Sequence, residues 1–114
     1  MTYARTEQEV RAAIDEIVRR IVAGFHPERI ILFGSHARGT WGPNSDVDLL
    51  VVMNRVAGSR RQVATAIDLS LAGIPLAVDV VVATADEVER DRNRIGNIVR
   101  PAMREGRVVY ERAA

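Results

Sequence analysis

Neither cysteine nor lysine occurs in this chain of 114 residues, and all 16 of its basic residues are arginine. Without cysteine the chain has no disulfide, no cysteine-ligated zinc, no iron–sulfur cluster and no thiol nucleophile. Without lysine it has no P-loop lysine, no kinase-type ATP lysine and no Schiff base. These two absences exclude thiol chemistry and the lysine-dependent nucleotide-binding motifs as the basis of its function.

A surplus of charge and long apolar runs are also lacking. The 15 acidic residues leave a formal net charge of +1, whereas nucleic-acid binding calls for a strongly basic face. The longest apolar runs, such as residues 49–53, are far shorter than the ~18 residues of a membrane span, and the polar N-terminal residues do not resemble a signal peptide. With 47% hydrophobic and 27% charged residues, the chain is expected to be a soluble cytoplasmic protein in which residues 1–114 form a single domain.

Hydrophobic periodicity predicts alternating helices and strands. Helices are expected over 6–25, about 60–73, 85–94 and 97–105, with a helical turn at 35–38, and strands over 29–33, 47–53, 76–83 and 107–110. Capping-box patterns mark three helix starts, at Thr6 with Glu9, Ser59 with Gln62 and Thr84 with Glu87. The expected fold class is α/β (α+β), a small mixed β-sheet of about four strands flanked by helices.

Three acidic residues lie in or beside strands that are otherwise apolar. Asp46 and Asp48 open the strand 47–53, and because strand side chains alternate they share one face, with Cα atoms ~6.6 Å apart. Asp79 lies within the apolar run 76–83, where a lone buried carboxylate is costly unless it is paired, protonated or bound to metal. A divalent cation would relieve the like-charge repulsion, and Mg²⁺ is favoured because it completes its shell with water and phosphate oxygens.

Each of these features also has a simpler structural interpretation. The Asp-x-Asp pattern at 46–48 is typical of a turn entering a strand, and Asp79 alone is more simply a hydrogen-bonded core aspartate. Gly34 and Ser35 directly follow a strand, where free N–H groups and a hydroxyl can meet a phosphate, but a turn with Ser35 as the helix N-cap is the simpler explanation. The three acids taken together favour a metal site.

The combination of these motifs resembles a known family. GSHARG at 34–39, SDVDLL at 45–50 and the later strand acid Asp79 are similar to the minimal nucleotidyltransferase (MNT) family of the DNA polymerase β-like superfamily, most strongly over residues 30–82. The resemblance implies a polymerase β-like nucleotidyltransferase core in which Gly34 and Ser35 bind the outer phosphates of ATP or another NTP. It also implies that Asp46 and Asp48 hold two Mg²⁺ ions, for which Mn²⁺ can substitute, and that Asp79 completes this site and helps to activate the attacking hydroxyl.

The resemblance further implies an activity and a partner. Relatives that modify transfer RNA ends or aminoglycosides resemble this core with a second substrate domain, so the acceptor is expected on a separate chain. Stand-alone MNT proteins of this size resemble antitoxins that transfer AMP from ATP to a tyrosine of a helical HEPN ribonuclease toxin. The alternatives are a non-catalytic antitoxin that neutralises its partner by contact, and a nucleotidyltransferase subunit that acts on RNA or a small molecule.

Other polar and aromatic residues have several interpretations. Arg38 either contributes to nucleotide binding by contacting a phosphate or braces its loop against an acid. Trp41 is more simply a loop-packing residue than a base-stacking one. His26 and His36 lack partners at metal-ligand spacing and are expected on the surface, and the pair at 60–61 is either a solvated helix face or a patch that neutralises an acidic partner.

Overall fold

The computed structural model describes residues 6–42 and 45–113. Within these ranges the elements are, in chain order, α1 (Glu7–Phe25), β1 (Arg29–Phe33), α2 (Ser35–Arg38), β2 (Val47–Met53), α3 (Arg60–Ser70), β3 (Val78–Thr84), α4 (Ala85–Asp91), α5 (Val99–Glu105) and β4 (Arg107–Glu111). In the described ranges, no helix combines the length and the hydropathy of a membrane span.

Local sequence explains where α1 begins and ends. The Thr6 hydroxyl oxygen accepts a hydrogen bond from the Glu9 backbone N–H at 3.1 Å and so caps the helix. The predicted capping box is incomplete, because the Glu9 carboxylate accepts from the Thr6 hydroxyl instead of the Thr6 backbone N–H. The helix ends at His26, which adopts the left-handed conformation with φ of 52°, and Pro27 follows it.

Complete capping boxes begin α3 and α4, as predicted. Ser59 and Gln62 bond each other's backbone N–H at the start of α3, and Thr84 and Glu87 do the same at the start of α4. Helix α4 ends at Asp91, earlier than expected, because the chain turns there: the Arg94 N–H bonds the Asp91 carbonyl and the Arg94 side chain pairs with the buried Asp91 carboxylate.

The four strands form one mixed sheet in the order β3-β2-β1-β4, which confirms the predicted fold class. Strand β1 is antiparallel to both β2 and β4, and β2 is parallel to β3. Because β2 and β3 run parallel with Asp48 opposite Asp79, the acid-bearing ends of these two strands lie side by side. Since β1 is antiparallel to β2, the carboxyl end of β1 lies beside these acid-bearing ends and leads there into α2.

Helices cover both faces of the sheet. Helices α1 and α3 pack on the first face, and alternate strand residues that include Val47, Leu49 and Val51 complete that core. Helices α4 and α5 pack on the second face, where the core includes Leu50 and Val52. Strand alternation therefore places Asp48 on the second face, together with Leu50 and Val52.

Candidate active site

Gly34 connects β1 to α2 in a conformation that only glycine adopts readily. Its φ is 74° and its ψ is −156°, a region that carries steric strain for any residue with a Cβ. A Cβ at this position would also overlap Oδ2 of Asp48 and lie 3.1 Å from its Cγ. The turn that carries the Gly-Ser motif is therefore packed directly against an acid of the Asp-x-Asp motif.

The short helix after this turn is capped differently from the prediction. Gly34, and not Ser35, is the N-cap residue, and no side chain caps the helix. The backbone accounts for this difference, since the Gly34 carbonyl accepts from the N–H groups of Ala37 and Arg38, each at 3.1 Å. The Ser35 hydroxyl is consequently not used as the cap of α2.

Asp48 and Asp79 are direct neighbours in the sheet. They occupy opposite positions in the parallel register of β2 and β3, on strands about 4.8 Å apart, so their side chains point to the same face. Asp48 is half-buried, whereas Asp79 and Asp46 are exposed. The expectation that Asp79 is a buried carboxylate is wrong, because β3 is an edge strand and its first residues remain open to solvent.

The three acids influence one another electrostatically. The pKa of Asp48 is raised, first by burial and then by the negative charges of Asp79 and Asp46, while the neighbouring His36 and Arg38 partly oppose this effect. Among the described residues, none of the three carboxylates takes part in a salt bridge. The cluster therefore holds negative charge that side chains do not neutralise.

This donor set fits a hard divalent cation. The groups are all carboxylates, and oxygen ligands are those that Mg²⁺ and Mn²⁺ prefer. No three acid or histidine side chains in residues 6–42 and 45–113 approach closely enough to form a closed metal cage. An open arrangement suits Mg²⁺, which is usually held by one or two carboxylates and keeps its other positions for water and substrate phosphates.

The loop between the two motifs is more tightly packed than the sequence indicated. His36, expected on the surface, is only 8% exposed, while His26 is exposed as expected. The His36 ring stacks on Trp41 with centroids 5.5 Å apart and planes within 9°, so Trp41 is a loop-packing residue. The sequence could not predict this burial, because the covering ring comes from beyond the helical turn and not from periodic neighbours.

The arginines near the site make ion pairs between elements. Arg38 lies 3.5 Å from Glu105 and so braces α2 against α5, although both side chains are about half exposed and such pairs contribute at most ~1 kcal/mol. Its positive charge also reaches Asp48, so bracing and an electrostatic role in the site occur together. Arg60 pairs with Glu87 and links α3 to α4, whereas Arg61 is exposed.

A surface groove lies between α1, α2 and β4. Its lining includes Val10, Ile14, His36, Trp41 and Val109, and none of the three acids contributes to it. Shape alone would favour this groove as a binding site. The chemistry instead favours the acid cluster at the ends of β2 and β3. There, carboxylates without a salt bridge among the described residues lie next to the glycine turn.

The sequence matches a known family of proteins over most of its length. A model of the nucleotidyltransferase domain family matches residues 12–108, a span that includes the glycine turn and all three acids. No curated protein matches the chain significantly in sequence.

Several solved structures share the fold. A Sulfolobus solfataricus protein described as a nucleotidyltransferase superposes with a TM-score of 0.61 at 21% identity, over 95% of this chain and 91% of that chain. A mutant of the toxin–antitoxin MntA-HpeT gives a TM-score of 0.52 at 18% identity, over 87% of this chain and 72% of that chain. A toxin–antitoxin with AMP-PNP gives 0.52 at 20% identity, over 86% and 73%. At these identities the superpositions establish a common fold.

Proposed function

The chain belongs to the nucleotidyltransferase domain family, and from this we propose that it is a Mg²⁺-dependent enzyme that transfers AMP from ATP to a hydroxyl of a partner protein. One observation carries the proposal: the Gly34 turn packs on the carboxylate of Asp48, which lies opposite Asp79 in the sheet. A phosphate-binding turn and a metal-binding acid pair must be adjacent if one triphosphate is to contact both.

The glycine turn is the proposed phosphate site. Gly34 has no side chain, so the backbone at this position can approach a ligand closely, and the Ser35 hydroxyl is not used as a helix cap. Arg38 lies on the same short helix, and its bond to Glu105 is long and solvent-exposed. Arg38 can therefore exchange this pair for a charge-assisted hydrogen bond to a phosphate at small cost.

The acids are the proposed catalytic centre. Asp46, Asp48 and Asp79 would hold Mg²⁺ with one or two of their carboxylates to each ion. When bound, Mg²⁺ supplies positive charge to the triphosphate and to the entering and leaving oxygens of an in-line displacement. The exposed Asp79 carboxylate is the group that accepts the proton of the acceptor hydroxyl. The hydroxyl oxygen forms a bond to the α-phosphorus, the bond from that phosphorus to the bridging oxygen breaks, and pyrophosphate leaves.

The acceptor is proposed to be a separate protein, and the chain to act as an antitoxin toward it. The support is the shared fold with two toxin–antitoxin structures, one of which contains AMP-PNP. Asp46 and Asp79 are exposed near the starts of β2 and β3, which is consistent with an acceptor hydroxyl on another protein. A tyrosine of a helical HEPN-type toxin is the acceptor we propose.

Thermal unfolding with ATP and Mg²⁺ tests nucleotide binding. A ligand that binds only the folded state stabilises it, by about 2.7 kcal/mol when its concentration is 100 times its Kd. We expect Mg²⁺ and ATP together to raise the Tm, and the double variant Asp46→Asn/Asp48→Asn to keep its fold but lose this rise. Asp68→Asn/Glu111→Gln removes two exposed acids, one on α3 and one at the far end of β4, and is the matched control that should retain the rise.

Two results would count against the proposal. One is a parent protein whose Tm does not respond to ATP with Mg²⁺. The other is an Asp46/Asp48 double variant that responds as strongly as the parent and the control variant do.

A further inference from the structure

Backbone and side-chain hydrogen bonds shape the loop that joins the glycine turn to the Asp-x-Asp motif. The Thr40 N–H donates to the Ser35 carbonyl at 3.0 Å. Farther along, the Ser45 N–H donates to the Gly42 carbonyl at 3.1 Å, and the Gly42 N–H donates to the Ser45 hydroxyl oxygen at 2.8 Å. The described parts of the loop are thus ordered at both ends.

His36 connects the two ends of this loop. Its ring stacks on Trp41, and its Nε2 lies 3.3 Å from the Ser45 carbonyl oxygen. Because a carbonyl only accepts, Nε2 is the nitrogen that carries the proton in this contact. The other nitrogen, Nδ1, is buried and has no partner in the described part of the chain.

The contact at Ser45 fixes the residue that precedes Asp46. Asp46 lies outside β2, so the sheet does not set its position directly. On its other side, the Val47 N–H donates to the Ala77 carbonyl at 2.9 Å, in the strand-entry segment before β3. Asp46 is therefore held between an anchor on the sheet, at Val47, and an anchor on the loop, at Ser45, to which Gly42 and His36 both contribute.

We propose that His36 is a positioning residue that holds Asp46 in line with Asp48 and Asp79 for metal–nucleotide binding. This inference rests on the proposed function. Side chains that orient metal ligands without touching the metal are worth about 10–100-fold in metal affinity or activity. The role requires the Nε2 donor, and the stacking on Trp41 keeps that donor aimed at Ser45.

Two substitutions of His36 test its hydrogen-bond donor and its aromatic ring separately. His36→Gln places an amide N–H near the position of Nε2 and so retains a donor for the Ser45 carbonyl, whereas His36→Phe retains an aromatic ring for Trp41 and removes the donor. His26→Phe changes an exposed histidine and is the control for the added phenyl group. The Kd of Mg²⁺-ATP is measured by calorimetry, and amide hydrogen exchange is measured over the peptide from Gly42 to Val47 without ligand.

We expect His36→Phe to raise the Kd of Mg²⁺-ATP about tenfold and to speed exchange at Ser45, with His36→Gln and the control staying within about twofold of the parent. Equal Kd values for the parent and His36→Phe would overturn the positioning role, as would equal losses in the Gln and Phe variants. Faster exchange in His36→Phe with unchanged Mg²⁺-ATP binding would reduce His36 to a structural residue. A parent that does not bind Mg²⁺-ATP would instead refute the proposed function itself.

Discussion

Gly34 is subject to two constraints that mutagenesis can separate. Its backbone conformation is one that residues with a Cβ adopt only with strain, and the space beside it is filled by the Asp48 carboxylate. Gly73 shares the first constraint with a φ of 86°, but a Cβ there would meet no atom within 4 Å. Gly73→Ala therefore measures the cost of a positive φ alone, and an Asp48→Ala background separates the contact with Asp48 from the backbone strain at Gly34.

We expect Gly34→Ala to destabilise the fold more than Gly73→Ala, which should cost about 1–2 kcal/mol from backbone strain alone. The excess arises because the new methyl displaces the Asp48 carboxylate, so Mg²⁺-ATP binding should be lost in Gly34→Ala and kept in Gly73→Ala. Urea unfolding and calorimetry check both effects. In an Asp48→Ala background the cost of Gly34→Ala should fall toward that of Gly73→Ala, and a cost that did not fall would show that the contact is unimportant.

The raised pKa of Asp48 predicts a pH-dependent stability. A carboxyl whose pKa is higher in the folded state binds more protons there than in the unfolded chain. Its contribution to folding is therefore fully present below its ordinary pKa of 3.8 and is lost as the pH rises through the raised value. At neutral pH without metal, the Asp48 charge destabilises the protein.

Asp48→Asn should accordingly be more stable than the parent at pH 7 in EDTA, by up to about 1 kcal/mol, because it removes a half-buried charge and with it the repulsion within the acid cluster. The advantage should shrink as the pH is lowered toward 4, which urea unfolding at a series of pH values measures. A variant that is less stable than the parent at pH 7, or a difference that does not change with pH, would contradict the electrostatic account of the cluster.

At the scale of helices and strands, local patterns determine most boundaries. The predicted bounds of the first two strands, 29–33 and 47–53, agree with the structure, because both segments are mostly apolar and turn residues flank them. The third strand begins at Val78 instead of Leu76, since pairing with β2 starts where Val47 meets Val78. Apolar residues continue on both sides of that point, so hydrophobicity alone does not reveal where pairing starts.

The sequence predicted which residues form the candidate site, but not how far each of them is buried. Alternation predicted that Asp46 and Asp48 share one face, but only Asp48 lies within β2. The sequence also does not show that β3 is an edge strand and leaves Asp79 exposed. The sequence also gave no indication that His36 is buried, because its cover depends on how the loop folds back and not on a helical or strand period. The metal-binding and phosphate-binding roles remain predictions.

The cap of α3 gives a test at the scale of a single helix. Ser59 accepts from the Gln62 N–H, and Gln62 accepts from the Ser59 N–H in return. Ser59→Ala should lower the free energy of unfolding by about 1 kcal/mol, whereas Ser59→Asp should retain most of the stability, because Asp also caps helices. Urea unfolding measures both, and Mg²⁺-ATP binding should be unchanged in each. Equal stability of Ser59→Ala and the parent would show that this cap contributes little.

At the scale of the whole molecule, the helices cover the faces of the sheet but leave the acid cluster accessible at one end of the strands. Asp46 and Asp79 are exposed there, while the core residues of β2 are fully buried. The formal net charge of +1 gives no strong general attraction to nucleic acid. The exposed acid cluster and the small net charge favour an acceptor that presents a single hydroxyl to the cluster. They disfavour a nucleic acid, which would need a broad basic surface.

The most direct test of the proposed function is the mass of the partner protein after incubation with this chain, ATP and Mg²⁺. Because the proposed partner is a HEPN-type toxin, the protein to test is one encoded by a neighbouring reading frame that is short, helical and carries an Arg-x₄-His motif. The account predicts that the partner gains one or more AMP units on a tyrosine, and that the gain disappears with Asp46→Asn/Asp48→Asn. A partner that is inhibited by this chain without any change in mass would contradict nucleotidyl transfer and leave neutralisation by contact as the mechanism.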